Sequence, residues 1–66
     1  MSARDVSNYT GQYCEILTQR GELLFGRLVR LSGDTFVLVD PYDERAVAWF
    51  YAGEVASVQP VAPPRR

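Results

Sequence analysis

The chain reads as an all-β domain, a short N-terminal helix followed by five antiparallel strands bent strongly enough to curl into a small barrel. Two observations predict it. Strand-like runs follow one another from Tyr13 to Gln59 with very short connections, and this density of strands and turns is what small barrels and orthogonal sandwiches show. The second observation is the placement of three glycines, Gly11, Gly21 and Gly26. Gly21 closes a tight reversal between two runs, whereas Gly26 lies in the middle of a long one. A glycine there weakens a strand, and a strand that keeps it usually bends or lets another backbone approach. A long second strand kinked near its middle curls a sheet into a barrel.

Residues 1–10 are expected as a helix or arm. Ser2 with Asp5 three positions on has the spacing of a capping box, and Gly11 stands where a helix ends. A helix this short must dock on the sheet to persist. Residues 11–61 form the expected barrel. Its first strand is Tyr13–Thr18, turned by Gln19, Arg20 and Gly21. The second is Glu22–Leu31, turned by Ser32, Gly33 and Asp34. The third, Thr35–Asp40, carries Phe36, Val37, Leu38 and Val39 in succession. Asp40, Pro41, Tyr42 and Asp43 make a turn in which proline presets one dihedral and aspartate bonds the following backbone. The fourth strand, Arg45–Tyr51, is broken by Ala52 and Gly53, and Val55–Gln59 is the fifth, ended by Pro60. Residues 62–66 are expected as a flexible tail.

Composition narrows the function. A domain of 66 residues buries only about 60% of its unfolded surface. With one cysteine and no histidine, neither a disulfide framework nor a usual zinc site supports the core. Yet 47% of the residues are hydrophobic, more than so small a monomer readily buries, which points to self-association. The net charge of −1 and pI near 5.1 give no global positive field for nucleic acid or membrane. All seven basic residues are arginine; interface use and genomic codon bias both account for that. No signal peptide is expected and no apolar run nears the ~20 residues of a membrane span, so a soluble cytoplasmic protein is expected. Without histidine or lysine, and with Cys14 embedded in a strand, no base–nucleophile pair is evident, and neither enzymatic activity nor a cofactor is expected. Asp40, Asp43 and Glu44 lack the spacing and glycine of a calcium loop and read as an ordinary turn, with no metal site.

The fourth strand carries the functional hint. A half-buried strand has one polar face. Here Val47, Trp49 and Tyr51 fall on one side and Ala46, Ala48 and Phe50 on the other. The second strand repeats the pattern, with Leu24 and Leu28 opposite Leu23, Phe25 and Val29. Five strands offer no second layer for the outer faces, and another copy of the chain is the simplest cover.

The run from Gly11 through Tyr13, Cys14, Ile16 and Leu17 to Gly21, then Gly26 and Leu28, then Phe36 to Asp40, resembles the Sm-like fold of the Sm, LSm and Hfq proteins. Their first motif has the shape G-x-x-V-x-V-x-L-x-x-G, followed by a strand with a glycine and a leucine at this spacing. Asp34 to Leu38 is similar to the Asp-Gln-Phe-Val-Ile of Hfq, and Tyr51 to Pro60 to its Tyr-Lys-His-Ala-Ile-Ser-Thr-Val-Val-Pro. The resemblance covers about residues 5–60. It implies a five-stranded bent barrel in a homo-oligomeric ring, the fourth strand of each subunit paired with the fifth of the next. Interface candidates are then Val47, Trp49, Phe50, Tyr51, Val55 and Val58.

It also implies single-stranded RNA as a partner. Phe36 matches the phenylalanine on which Hfq stacks a uridine base. An RNA site would gather Thr35 and Phe36 with Tyr51 and Gly53 of a neighbour, and Arg27 and Arg30 are candidates for phosphates. The bland readings are a core position for Phe36 and solvated or carboxylate-paired arginines. This chain departs from the family where RNA is held. The lysine–histidine pair of Hfq is Ala52–Gly53, as is the arginine–glycine of the Sm pattern. The Sm aspartate and asparagine positions hold Ser32 and Phe36, and Asn8 and Tyr9 occupy the segment of Hfq's rim arginines. The resemblance thus implies a ring that binds single-stranded RNA weakly; the alternative is an oligomeric scaffold for protein partners that has lost RNA binding.

Overall fold

The structure, a computed structural model, describes residues 1–65. It contains a short helix α1 (Ala3–Ser7), then β1 (Tyr13–Thr18), β2 (Leu23–Ser32), β3 (Thr35–Val39) and β4 (Ala46–Tyr51). A single 3-10 turn, Ala52–Glu54, leads to β5 (Val55–Pro60). The strands form one antiparallel sheet in the order β4-β3-β2-β1-β5. The all-β class, the helix and all five strands are those read from the sequence; β1 has the bounds expected of it, and each of the others is displaced at one end or both.

The displacements have local causes. Ser2 Oγ accepts the Asp5 N–H at 3.1 Å, so one half of the cap is present. The helix lasts only to Ser7, and tight turns bring the chain to Gly11, whose φ of +89° favours glycine. Glu22 stays in the β1–β2 turn because its N–H is held by Thr18 Oγ1 at 3.0 Å. β2 continues to Ser32, which pairs with Thr35 around Gly33 and Asp34. Gly33 has φ +51°, the positive angle a two-residue hairpin requires at its first central position. Of the expected tail, Val61 donates to Tyr13 O at 3.0 Å and Tyr42 Oη donates to Pro64 O; Arg66 lies outside the described residues.

β2 divides its pairing. Its first half, Leu23–Arg27, opposes β1, and its second, Arg27–Ser32, opposes β3. The division falls beside Gly26, where an added Cβ would lie 2.8 Å from Leu38 Cβ and 3.1 Å from Val39 N. The glycine therefore admits the close approach of β3 on the core-facing side. Around this fold gather Val6, Cys14, Ile16, Leu28, Phe36, Leu38, Phe50, Ala52 and Val55, the buried core.

The sheet does not close. β4 and β5 are its opposite edges, and no ladder joins them within the chain. The expected closed barrel is thus, in the protomer, an open five-stranded sheet. Five strands bring β5 back to β1 and leave β4 with β3 alone, while Val6 of α1 supplies core contacts from outside the sheet.

Candidate interaction site at the open edges of the sheet

β4 presents the largest exposed apolar side chains of the edge strands. Trp49 is 65% exposed, Tyr51 58% and Val47 55%. Their neighbour Phe50 points the other way and stacks on Phe36, ring centroids 5.9 Å apart. Alternation along β4 thus sends Phe50 to the core and Trp49 and Tyr51 to the outer face. Across the ladder Trp49 lies opposite Val37, itself opposite Val29. This row lies on the outer face of the sheet, where Val37 is itself buried, Val29 half-buried and Trp49 exposed. Leu23, Phe25 and Leu31 of β2 are also exposed.

The backbone of β4 shows which groups face the open edge. Ala52 N donates to Asp34 O of the β2–β3 turn at 2.8 Å, so by alternation Phe50 and Ala48 also turn their peptide groups toward β3. Tyr51 and Trp49 face outward. The Tyr51 N–H is taken by Glu54 Oε2 at 2.7 Å, leaving Trp49 as the open pairing position. Val47 lies in an irregularity, because Leu38 opposes Ala48 while Val39 opposes Ala46.

β5 is built the same way. Val61 N bonds to Tyr13 O at 3.0 Å, so Gln59 and Ser57 face β1 and Val58 and Pro60 face the open edge. Pro60 carries no N–H. Ala56 falls in a bulge, since Leu17 opposes Ser57 while Thr18 opposes Val55. Val58 is the regular open position, and its side chain is half-buried against the core.

Of the RNA candidates, Thr35 and Tyr51 are brought together as opposed residues on β3 and β4. They border a shallow cavity of about 190 Å³ with Trp49, Phe50 and Glu54. Phe36 does not join them. It is fully buried, which makes it a core residue rather than a stacking face. The cause is register: Phe36 opposes Phe50, and both turn inward. Gly53 lies instead in a second cavity of about 220 Å³ lined by Thr18, Gln19, Arg20 and Glu54. The arginines are engaged within the chain. Arg27 Nη2 meets both carboxylate oxygens of Glu44 at 2.9 and 3.0 Å, and Arg30 Nε donates to Gly33 O at 2.8 Å.

The interface candidates separate into two groups. Val47, Trp49 and Tyr51 are exposed and Val58 is half-buried at the edge, whereas Phe50 and Val55 belong to the core. Alternation turns Phe50 inward, and β5 enters the protomer's core at its first residue, Val55. Sequence reading missed Glu54. Its signal is an acidic residue just after a strand break, where a carboxylate reaches back to a strand-end N–H.

The acidic turn holds its own backbone. Asp40 Oδ1 accepts the N–H groups of Tyr42 and Asp43 at 2.8 and 3.1 Å, and Asp43 Oδ1 accepts that of Arg45 at 3.1 Å. Cys14 is fully buried, and desolvation pushes its thiol pKa upward. Among the described residues no helix is long and apolar enough to cross a membrane. No protein family, no curated protein and no solved structure matches this chain.

Proposed function

We propose that this protein functions as a homo-oligomeric interaction scaffold of Sm-like type, a ring in which the β4 edge of each copy pairs with the β5 edge of the next. One observation carries this reading. Neither edge strand, Ala46–Tyr51 nor Val55–Pro60, contains a charged residue. Solitary edge strands are normally blunted by charges, proline, bulges, short length or covering segments, because open N–H and C=O rows recruit other strands. Here Pro60 and the irregularities at Val47 and Ala56 leave one regular open position on each edge, with no charge beside it. Trp49 strengthens it: burying a largely exposed tryptophan contributes on the order of 3 kcal/mol.

Light scattering coupled to gel filtration at micromolar concentration tests the assembly. The expected mass is several times the 7.4 kDa of the chain; a species of chain mass overturns the proposal.

A second reading, weak binding of single-stranded RNA, is favoured by the exposed rings of Trp49 and Tyr51 beside Thr35. Such rings accept any base at about 1–3 kcal/mol each. The buried Phe36, the paired Arg27 and the carboxylate of Glu54 at the cavity weigh against it. Fluorescence anisotropy with uridine-rich and adenine-rich oligonucleotides at two salt concentrations separates the readings. The scaffold predicts no salt-dependent binding, whereas RNA recognition predicts affinity that falls as salt rises.

A further inference from the structure

We infer that the joint between copies exchanges faces: Trp49, on the outer face of one protomer, lies directly opposite Val58, on the inner face of the next, in an antiparallel β4–β5 pair. This rests on the assembly proposed above and specifies its register and its chemistry.

Direction follows from side-chain chemistry at β5. Trp49 turns its peptide groups to the open edge and its side chain to the outer face, opposite Val37. Val58 turns its peptide groups to the open edge and its side chain to the inner face, opposite Ile16. Opposed residues of an antiparallel pair project side chains to the same face. Antiparallel addition therefore places the outer face of β4 beside the inner face of the neighbouring β5. Parallel addition keeps outer face beside outer face, where β5 shows Ser57 and Gln59, both exposed and polar. Only the antiparallel joint sets Trp49 against an apolar neighbour. It also gives the apolar second side of β4 a function, since that side becomes an extension of the next copy's core.

Register follows from interruptions along each edge. With Trp49 opposite Val58, the irregular Val47 meets Pro60, which has no N–H to offer. Tyr51, whose N–H is already held by Glu54, meets the bulged Ala56. The one regular open position on each edge thus pairs with that on the other, and each interruption falls beside an interruption. Moving either strand by two residues sets a regular position against an interrupted one. Charge does not oppose the contact, because neither strand carries any.

The sole tryptophan reports the joint. In the wild-type oligomer, Trp49 emission is expected to be blue-shifted and shielded from acrylamide. Dilution to chain mass should shift it red and raise the quenching constant severalfold. A second measurement tests the register without altering Trp49. Opposed residues next to a regular hydrogen-bonded pair lie about 4.5 Å apart at Cα, within disulfide reach. With Trp49 opposite Val58, Ala48 falls opposite Gln59, so the double variant Ala48→Cys/Gln59→Cys is expected to form a ladder of covalent multimers under mild oxidation, while each single variant forms none. An oligomer whose Trp49 stays solvent-exposed and whose double variant gives no ladder overturns this inference and leaves the assembly standing. A wild-type chain that remains at chain mass overturns both.

Discussion

At Gly26 the side chain is absent because there is no room for one. An alanine Cβ would stand 2.8 Å from Leu38 Cβ and 3.1–3.2 Å from the Val39 backbone, and backbone does not yield as a flexible side chain does. Gly26→Ala is expected to destabilise the fold by about 1–3 kcal/mol, the usual range for overpacking, as read from a lowered urea midpoint. Phe36 is the complementary case. Its ring is fully buried and stacked on Phe50, so Phe36→Ala should remove about 3–5 kcal/mol, much of the roughly 3–10 kcal/mol a domain of this size possesses. Circular dichroism should show loss of the native signal; a folded variant of unchanged midpoint would falsify the core assignment. Cys14 adds a pH dependence. Its thiol pKa is raised in the folded chain above the ordinary value of 9.0, so the unfolded chain releases the proton first as pH rises. Stability is then unaffected at neutral pH and declines above about pH 9. Urea titrations at pH 7 and pH 10 should show the decline, and Cys14→Ala should reduce it.

At the scale of the element, β4 is shaped by two demands that alternate along it. Phe50 anchors it to the core, and Trp49 and Tyr51 stand on the other side with nothing of their own chain over them. Trp49→Asp is expected to leave the protomer folded, because the residue is 65% exposed. It should abolish assembly, since an unpaired carboxylate buried in the joint costs several kcal/mol. Light scattering should give chain mass while circular dichroism keeps its native form; an intact oligomer would sink the assignment of β4 to the interface. The 3-10 turn that follows is held by the bond from Tyr51 N–H to Glu54. Glu54→Ala should lower protomer stability by about 1 kcal/mol through the unmade bond, and Glu54→Gln, which keeps an acceptor oxygen, should lower it less.

For the whole molecule, the decisive feature is that the sheet ends in two uncharged edges, each with one regular open pairing position. A 66-residue chain cannot cover every apolar side chain it carries. Leu23, Phe25, Leu31, Val47, Trp49 and Tyr51 all remain exposed in the protomer. Stability should therefore depend on protein concentration, as it does when folding and association are linked. Raising the chain from sub-micromolar to tens of micromolar should raise Tm by several degrees, and a Tm independent of concentration would count against assembly.

Much of this was legible in the chain because it is local. Gly21 and Gly33 carry the positive backbone angles of their turns, Asp40 bonds the backbone two and three residues on, and alternation fixed which of Trp49 and Phe50 points inward only once one was known to be buried. The two-faced apolar pattern of β4 was visible in composition and order alone. What composition did not decide is which face is the inner one. Phe36 reads equally as a platform or a core ring until its register against Phe50 is known, and register is a property of the paired strands rather than of either run. The same holds for Arg27, whose partner Glu44 lies 17 residues away and is brought to it by the β3–β4 turn. Closure, too, is a tertiary matter: the sequence determined five strands and a bend at Gly26, while the ladders left β4 and β5 as separate edges, because hydrogen bonding between distant strands depends on where the whole sheet carries them.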